Sequence, residues 1–409
     1  MDIEFVRLCD RWVGTLVCRI LSGSERVRKL IFTSPASTSP KNILVIEISE
    51  MGSVILAYSM LQEVKRRYPH ANTYFLMFEK IRESLDVMEL IPRENVITLS
   101  DKSLWAFSRS AFQAVRKLRR LHIDTVLDME LFARISSIFS YLSGAQSRIG
   151  FYRYTMEGLY RGNFLTHKVQ YNSSMHIAKN QMALLDALEE DPSSSPLVKR
   201  NYNKLDLTLP HLKNSAEDDR QIREKLKTNC PALSRDGRII ILNPSGGELP
   251  IRAWPLDYYI SLTQLLLQED NLVVGVMGLA SEKIWYKRMA EEISSPRFFD
   301  FTGMTLSVKE VIQLFNCCDV LVTADSGPAH FAGLSSIHCI VFFGPETPTL
   351  YGPLNTNSTC LYAGLSCSPC LTAYNHRNTP CDGNNLCVQE FKPEYVKGLV
   401  LKALTENPA

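Results

Sequence analysis

The chain has 409 residues, 45% hydrophobic and 22% charged, which is an ordinary globular composition and too long for one compact core. Lysine and arginine number 45 against 43 aspartate and glutamate, and the formal net charge of +2 excludes an overall basic field for nucleic acid. No apolar run reaches bilayer-spanning length, and four of the eleven cysteines crowd near the C-terminus instead of spreading along the chain as in a disulfide scaffold.

Residues 1–40 read as an amphipathic helix followed by a linker. Phe5, Leu8, Trp12, Val13, Leu16, Val17, Ile20 and Leu21 recur at helical spacing, with Arg7, Arg11, Arg19, Arg26, Arg28 and Lys29 on or beyond the other face. The stretch from Thr33 to Pro40 is rich in Ser, Thr and Pro. A secretory signal would need an uninterrupted apolar core and a small-residue cleavage site, and neither is present. Such a helix suits the face of an anionic membrane, or packs back on its own domain; composition does not separate the two.

From Lys41 the pattern alternates between short β-branched runs and longer helical stretches. Ile43–Ile48, Asn72–Phe78, Val96–Leu99 and Ile123–Met129 read as strands of one parallel sheet. After a polar zone the alternation restarts with Arg238–Leu242, Leu272–Met277, Asp319–Thr323 and Ile337–Phe343. The expectation is an α/β chain of two doubly wound halves, 41–230 and 231–409, with ligands beyond the carboxyl ends of the strands and a cleft between the halves as the default site.

Three loops follow predicted strands at that end. Ser49-Glu50-Met51-Gly52-Ser53 leads into a helix; Asn243-Pro244-Ser245-Gly246-Gly247 offers backbone N–H groups to an anion, with Arg252 shortly after it. It is not a P-loop, because the Gly-Lys-Ser/Thr ending is missing. In Thr323-Ala324-Asp325-Ser326-Gly327-Pro328-Ala329-His330, Ser326 is expected to cap a helix whose first turn, with His330, favours a phosphate oxygen. Each loop alone is also plain turn and capping chemistry. Together, at one edge of two sheets, they point to a nucleotide-type ligand.

These residues resemble glycosyltransferase family 9, the family of the lipopolysaccharide heptosyltransferases. The similarity lies in Ile43–Leu56, Arg148-Ile149-Gly150-Phe151, Arg252-Ala253-Trp254-Pro255, and Asp325-Ser326-Gly327-Pro328-Ala329-His330 with Phe343-Gly344-Pro345. It covers about residues 41–400, and the last motif is the most specific. The resemblance implies a GT-B fold of two Rossmann-like domains facing a cleft, an acceptor-side first domain, a donor-side second domain, and catalysis without a metal. It also implies an inverting transfer from a nucleotide sugar, with ADP-heptose suggested, to a lipopolysaccharide-core or related surface-glycan acceptor. Ser245, Gly246, Arg252, Asp325, Ser326, Gly327 and His330 would hold the donor diphosphate. Glu282 stands where the family places an acid on the donor ribose, and is equally a first-turn acid of a helix. The chain departs from the family at Ser53, where heptosyltransferases carry the Asp that acts as base. A serine is a poor base at neutral pH without activation, so Glu50, three residues earlier, is the expected base, ahead of Glu47. Two other readings stay open: a sugar-nucleotide epimerase of the same architecture, and a non-catalytic, metal-stabilised sugar-binding protein.

Within 360–390, Cys367-Ser368-Pro369-Cys370 is followed by Cys381 and Cys387, with His376 nearby. Four thiolates can satisfy one structural Zn or Fe ion, and free or redox-active thiols and disulfides are the alternatives. With no export segment apparent, the expected setting is the cytoplasm, with peripheral contact at the inner membrane.

Overall fold

The computed structural model describes residues 8–31, 39–131, 133–154, 160–234, 237–247, 249–374 and 378–406. Most of the expected linker, together with Phe5 and His376, lies outside the described residues.

The first unit is built on six parallel strands: β1 (Asn42–Ile46), β2 (Asn72–Phe78), β3 (Val96–Leu99), β4 (Thr125–Asp128), β5 (Ser147–Tyr152) and β6 (His167–Gln170), in the order β3-β2-β1-β4-β5-β6. Ile43, Leu44, Val45 and Ile46 are buried on both faces, which is why β1 reads as an unbroken apolar run and not as an alternating one. The sheet closes its core against helices α1 (Thr15–Ile31), α2 (Met51–Leu56), α3 (Leu104–Arg120), α4 (Arg134–Leu142) and α5 (Ile177–Asp186) among others. Ala114 and Leu118 of α3 and Phe139 of α4 share one core with Leu44, Ile46 and Val126.

The second unit repeats the plan with β7 (Arg238–Asn243), β8 (Leu272–Val276), β9 (Phe298–Asp300), β10 (Val320–Ala324), β11 (His338–Phe343) and β12 (Ser358–Tyr362), ordered β12-β11-β10-β7-β8-β9. Counted within each unit, both sheets run 3-2-1-4-5-6, the doubly wound dinucleotide-binding order. The order reverses between β1 and β4 in one and between β7 and β10 in the other, where Ile46 pairs with Asp128 and Asn243 with Thr323. In such sheets a ligand binds just beyond these paired ends.

The two compact units divide between Leu207 and Thr208, upstream of the expected join at 230. The reason is α6 (Ala216–Asn229), whose surroundings belong to the second sheet: Lys225 pairs with Glu310 at 3.0 Å, and Asn316 Nδ2 donates to Leu212 O at 2.6 Å.

The N-terminal segment packs on the first unit. Cys18 of α1 is buried with Ile138 and Phe164, and Asp10 Oδ1 accepts from the backbone N–H groups of Arg134 and Ile135, satisfying orphan donors at the start of α4. Glu25 reaches Arg148 at 2.8 Å with both side chains almost fully buried. Arg148 Nε and Nη1 go to Phe164 O and Ala145 O, so the Arg of Arg148-Ile149-Gly150-Phe151 anchors the N-terminal helix. No helix among the described residues is long and apolar enough to cross a membrane.

Candidate functional site

Each unit gathers chemistry at its own switch point. In the first, β1 delivers Glu47 and Ile48, and the chain turns through Glu50 into α2. Ser53 Oγ donates to Glu50 Oε2 at 3.0 Å, and Gln181 Nε2 of α5 donates to Ser53 O at 3.1 Å. The Ser53 hydroxyl therefore orients the Glu50 carboxylate. Beyond β4, Glu130 Oε1 accepts from Ile48 N–H at 2.8 Å, and Asp128 pairs with Arg161 at 2.5 Å. Arg161 also donates to Glu130 O, and Ser136 Oγ to Asp128 Oδ2.

Glu47 and Glu130 are both buried and hydrogen-bonded to each other. Burial first, then the Glu130 and Glu50 charges, keeps Glu47 protonated well above the usual carboxylate range. Burial and the neighbouring Glu50 push Glu130 up to about 7. Two carboxyls whose hold on a proton burial has strengthened thus neighbour Glu50, which is only half-buried and has a hydroxyl donor. Such a set can accept a proton from a substrate hydroxyl and spread the charge. Glu130, Asp128 and Arg161 escaped the sequence reading, although Asp128-Met129-Glu130 stands at the carboxyl end of a predicted strand, where a search for acids would have found it.

In the second unit, Ser245 Oγ donates to Glu282 Oε1 at 2.5 Å and accepts from Gly247 N–H at 3.0 Å. Glu282 Oε2 also accepts from Leu279 N–H at 2.7 Å, so its capping role and its contact with the β7 loop coexist. Gly246 is required by space: a Cβ there would lie 2.8 Å from Leu249 O. Arg252 Nη1 donates to Asp325 O at 3.0 Å, and its Nη2 lies 2.8 Å from Glu346 and 4.0 Å from Asp325 Oδ2. Four of the expected donor residues are thereby joined in two pairings, Ser245 with Glu282 and Arg252 with Asp325, and Gly246 lies at the turn between Ser245 and Arg252. Glu346 was missed; its signal is its place directly after Phe343-Gly344-Pro345.

Ser326 occupies the N-cap position of α7 (Gly327–Ala332), but its hydroxyl donates back to Ala324 O at 3.1 Å. The expected Ser326 side-chain cap is therefore not formed. Pro328 sits in the first turn without conflict, and His330 is buried within the helix. Trp254 is structural: its ring stacks on Phe342 at 4.7 Å and its N–H donates to Phe391 O.

Of the clustered cysteines, Cys367 and Cys381 are exposed and Cys387 is buried. Burial, then the Cys370, Cys367 and Cys381 thiols, raises the Cys387 thiol above its ordinary value. Among the described residues, no three His, Cys, Asp or Glu side chains assemble as a metal-ligand set.

Comparison with known proteins gives a consistent family. Residues 111–379 match the model of glycosyltransferase family 9 (heptosyltransferase). The chain is 25% identical over 183 residues to lipooligosaccharide heptosyltransferase 2 of Campylobacter jejuni, covering 44% of this chain and 55% of that protein, so it spans about half the length of that relative. It is 20% identical over 320 residues to the lipopolysaccharide core heptosyltransferase OpsX of Haemophilus influenzae, covering 78% of this chain and 83% of that one. Among solved structures, the E. coli ADP-heptose lipopolysaccharide heptosyltransferase II superposes with a TM-score of 0.67 at 18% identity, over 90% of this chain and 100% of that one. A family 9 protein from Veillonella parvula gives 0.68, also at 18%, over 90% and 99%. These likenesses establish the GT-B type of fold.

Proposed function

The chain belongs to glycosyltransferase family 9, and on that premise we propose that it moves a heptose-type sugar, with inversion, from a nucleoside-diphosphate sugar to a lipopolysaccharide-core or related surface-glycan acceptor. The observation that carries this reading is the placing of Ser245, Arg252 and Asp325 on the loops beyond β7 and β10, with Glu282 bonded to Ser245, a polar edge with a positioned guanidinium. ADP-heptose, the donor named for the E. coli protein, is the proposed donor here. Glu282 takes the ribose side, while Arg252, the Gly246 turn and the Asp325–His330 loop meet the diphosphate.

Glu50 is the proposed base. It takes the acceptor hydroxyl proton as the oxygen attacks the anomeric carbon, a new C–O bond forms, and the bond from that carbon to the diphosphate oxygen breaks. Ser53 holds the receiving carboxylate in place, and burial keeps the neighbouring Glu47 protonated, so that it adds no negative charge beside Glu50. Arg252 takes up charge on the leaving diphosphate. A lipid-linked acceptor places the work at the cytoplasmic face of the inner membrane. The four-cysteine loop is proposed as a structural Zn or Fe staple on the number of its thiols and its Cys367-x2-Cys370 spacing alone, since among the described residues no three of them stand as a ligand set. Metal-free, fully folded protein purified without chelator would refute that.

The test is a thermal-shift panel of nucleotide sugars followed by transfer to lipid A-core acceptors. ADP-heptose is expected to stabilise the chain and to release ADP only with acceptor. If no nucleotide sugar stabilises it, the donor assignment fails; turnover of a nucleotide sugar without acceptor would instead select the epimerase.

A further inference from the structure

Helix α1 carries apolar side chains on both of its sides. Toward its own unit it turns Gly14 just before it, then Cys18, Ser22 and Glu25, which are buried, with Val17 and Leu21 packed partly buried beside them. The positions it turns outward are apolar: Leu16, Ile20, Val27 and Leu30, continued by Trp12 and Val13 in the preceding turn, all more than half exposed, with Trp12 at 67% and Leu30 at 87%. A helix that only needed to cover its domain would place these side chains inward. The inward face can be polar because Glu25 pairs with the buried Arg148 and Ser22 Oγ accepts from Asn163 N–H at 2.9 Å.

A second helix that also packs beside α4 exposes large apolar side chains as well. Helix α3 buries Ala114 and Leu118 against the sheet, yet exposes Trp105 (77%) and Phe112 (64%). The surrounding charges have one sign. No Asp or Glu occurs from Lys102 to Arg120, while Arg109, Arg116, Arg119 and Arg120 are exposed. On the N-terminal segment Arg11, Arg19 and Arg26 are exposed, and the acids among its described residues are taken: Asp10 by Arg134 and Glu25 by Arg148 and Arg28.

We infer that α1 and α3 together form a fixed docking surface for an anionic lipid bilayer, with Trp12, Leu16, Ile20, Trp105 and Phe112 entering the interface and the arginines meeting lipid phosphates. The inference rests on the membrane-face reading above and names the surface that performs it. A second copy of the chain is the weaker occupant, because a symmetric pairing would set the same arginines against each other.

The experiment uses the full chain and sedimentation with vesicles of phosphatidylcholine alone or mixed with phosphatidylglycerol. The wild type is expected to bind only the anionic vesicles, less so at high salt, and about tenfold more weakly after Trp12→Ser/Leu16→Ser/Ile20→Ser or Trp105→Ser/Phe112→Ser. The melting temperature should not fall in either variant, since the replaced side chains are exposed. A wild type that ignores anionic vesicles, variants that bind as well as the wild type, or a dimer that the α1-side variant dissociates would each overturn the surface. Transfer to a deacylated, water-soluble core acceptor is measured in parallel. Transfer without vesicle binding refutes the surface and spares the transferase reading; vesicle binding lost in both variants, without transfer, supports the surface and refutes that reading.

Discussion

Replacing Glu25 by Ala should loosen the N-terminal helix by removing the partner of a buried charge. Arg148 is 3% exposed and Glu25 2%, and their oxygen and nitrogen lie 2.8 Å apart. The two remaining acceptors of Arg148, Phe164 O and Ala145 O, are neutral carbonyls. Breaking one side of such a pair costs about 3–5 kcal/mol, because the guanidinium stays buried without a countercharge. For a unit of this size each kcal/mol moves the midpoint by about 2–4 °C, so the first thermal transition should fall by roughly 6–20 °C. Glu25→Gln keeps an acceptor at the same place and should cost clearly less than Glu25→Ala. Calorimetry of the three proteins at neutral pH is the assay. A Glu25→Ala protein melting within about 2 °C of the wild type would refute the claim that this pair holds α1 to the sheet.

Arg252→Ala should lower kcat/KM by about a hundredfold or more, read as ADP release, because its guanidinium is the group proposed to take up the charge of the leaving diphosphate beside Asp325 and Glu346. Glu50→Gln should abolish transfer while leaving ADP-heptose binding by thermal shift unchanged; full turnover would remove Glu50 as the base. Glu130 holds its proton in the folded chain up to about 7 and releases it near its ordinary value when unfolded. Its contribution therefore lowers stability as pH rises from about 4.5 to 7, and Glu130→Gln should flatten that fall in melting temperature. Gly246→Ala, whose new methyl would press on Leu249 O, should weaken donor binding while lowering the melting point of the second unit only slightly.

The central strands were legible because burial on both faces makes Ile43–Ile46 and Ile239–Leu242 continuous apolar runs. The outer strands β6, β9 and β12 were not, being short and carrying His167, Lys168, Asp300 and Ser358, which give no strand signal. Arg148-Ile149-Gly150-Phe151 was noticed as a motif, but its strand and its pairing with Glu25 depend on residues 123 positions apart. The donor loops were readable one by one from glycine and capping chemistry. What no local pattern carries is that Arg252 meets Glu346, or that Ser326 turns its hydroxyl away from its own helix. The N-terminal segment shows the same limit: periodicity found an apolar stripe, and only the packing reveals that it is divided, with Val17 and Leu21 against the unit and Trp12, Leu16 and Ile20 exposed.

The matched strand order of the two sheets has an evolutionary consequence. Each unit closes its own core around its own reversal point, and no strand is shared between them. Mutations that reshape the carboxylate cluster around Glu50 therefore need not disturb the packing that positions Arg252, and the reverse holds equally. If the proposed division of acceptor to the first unit and donor to the second holds, a lineage of such chains can diversify what it modifies while conserving what it spends, and a hybrid spliced at Leu207–Thr208 should join an inherited donor choice to a new acceptor.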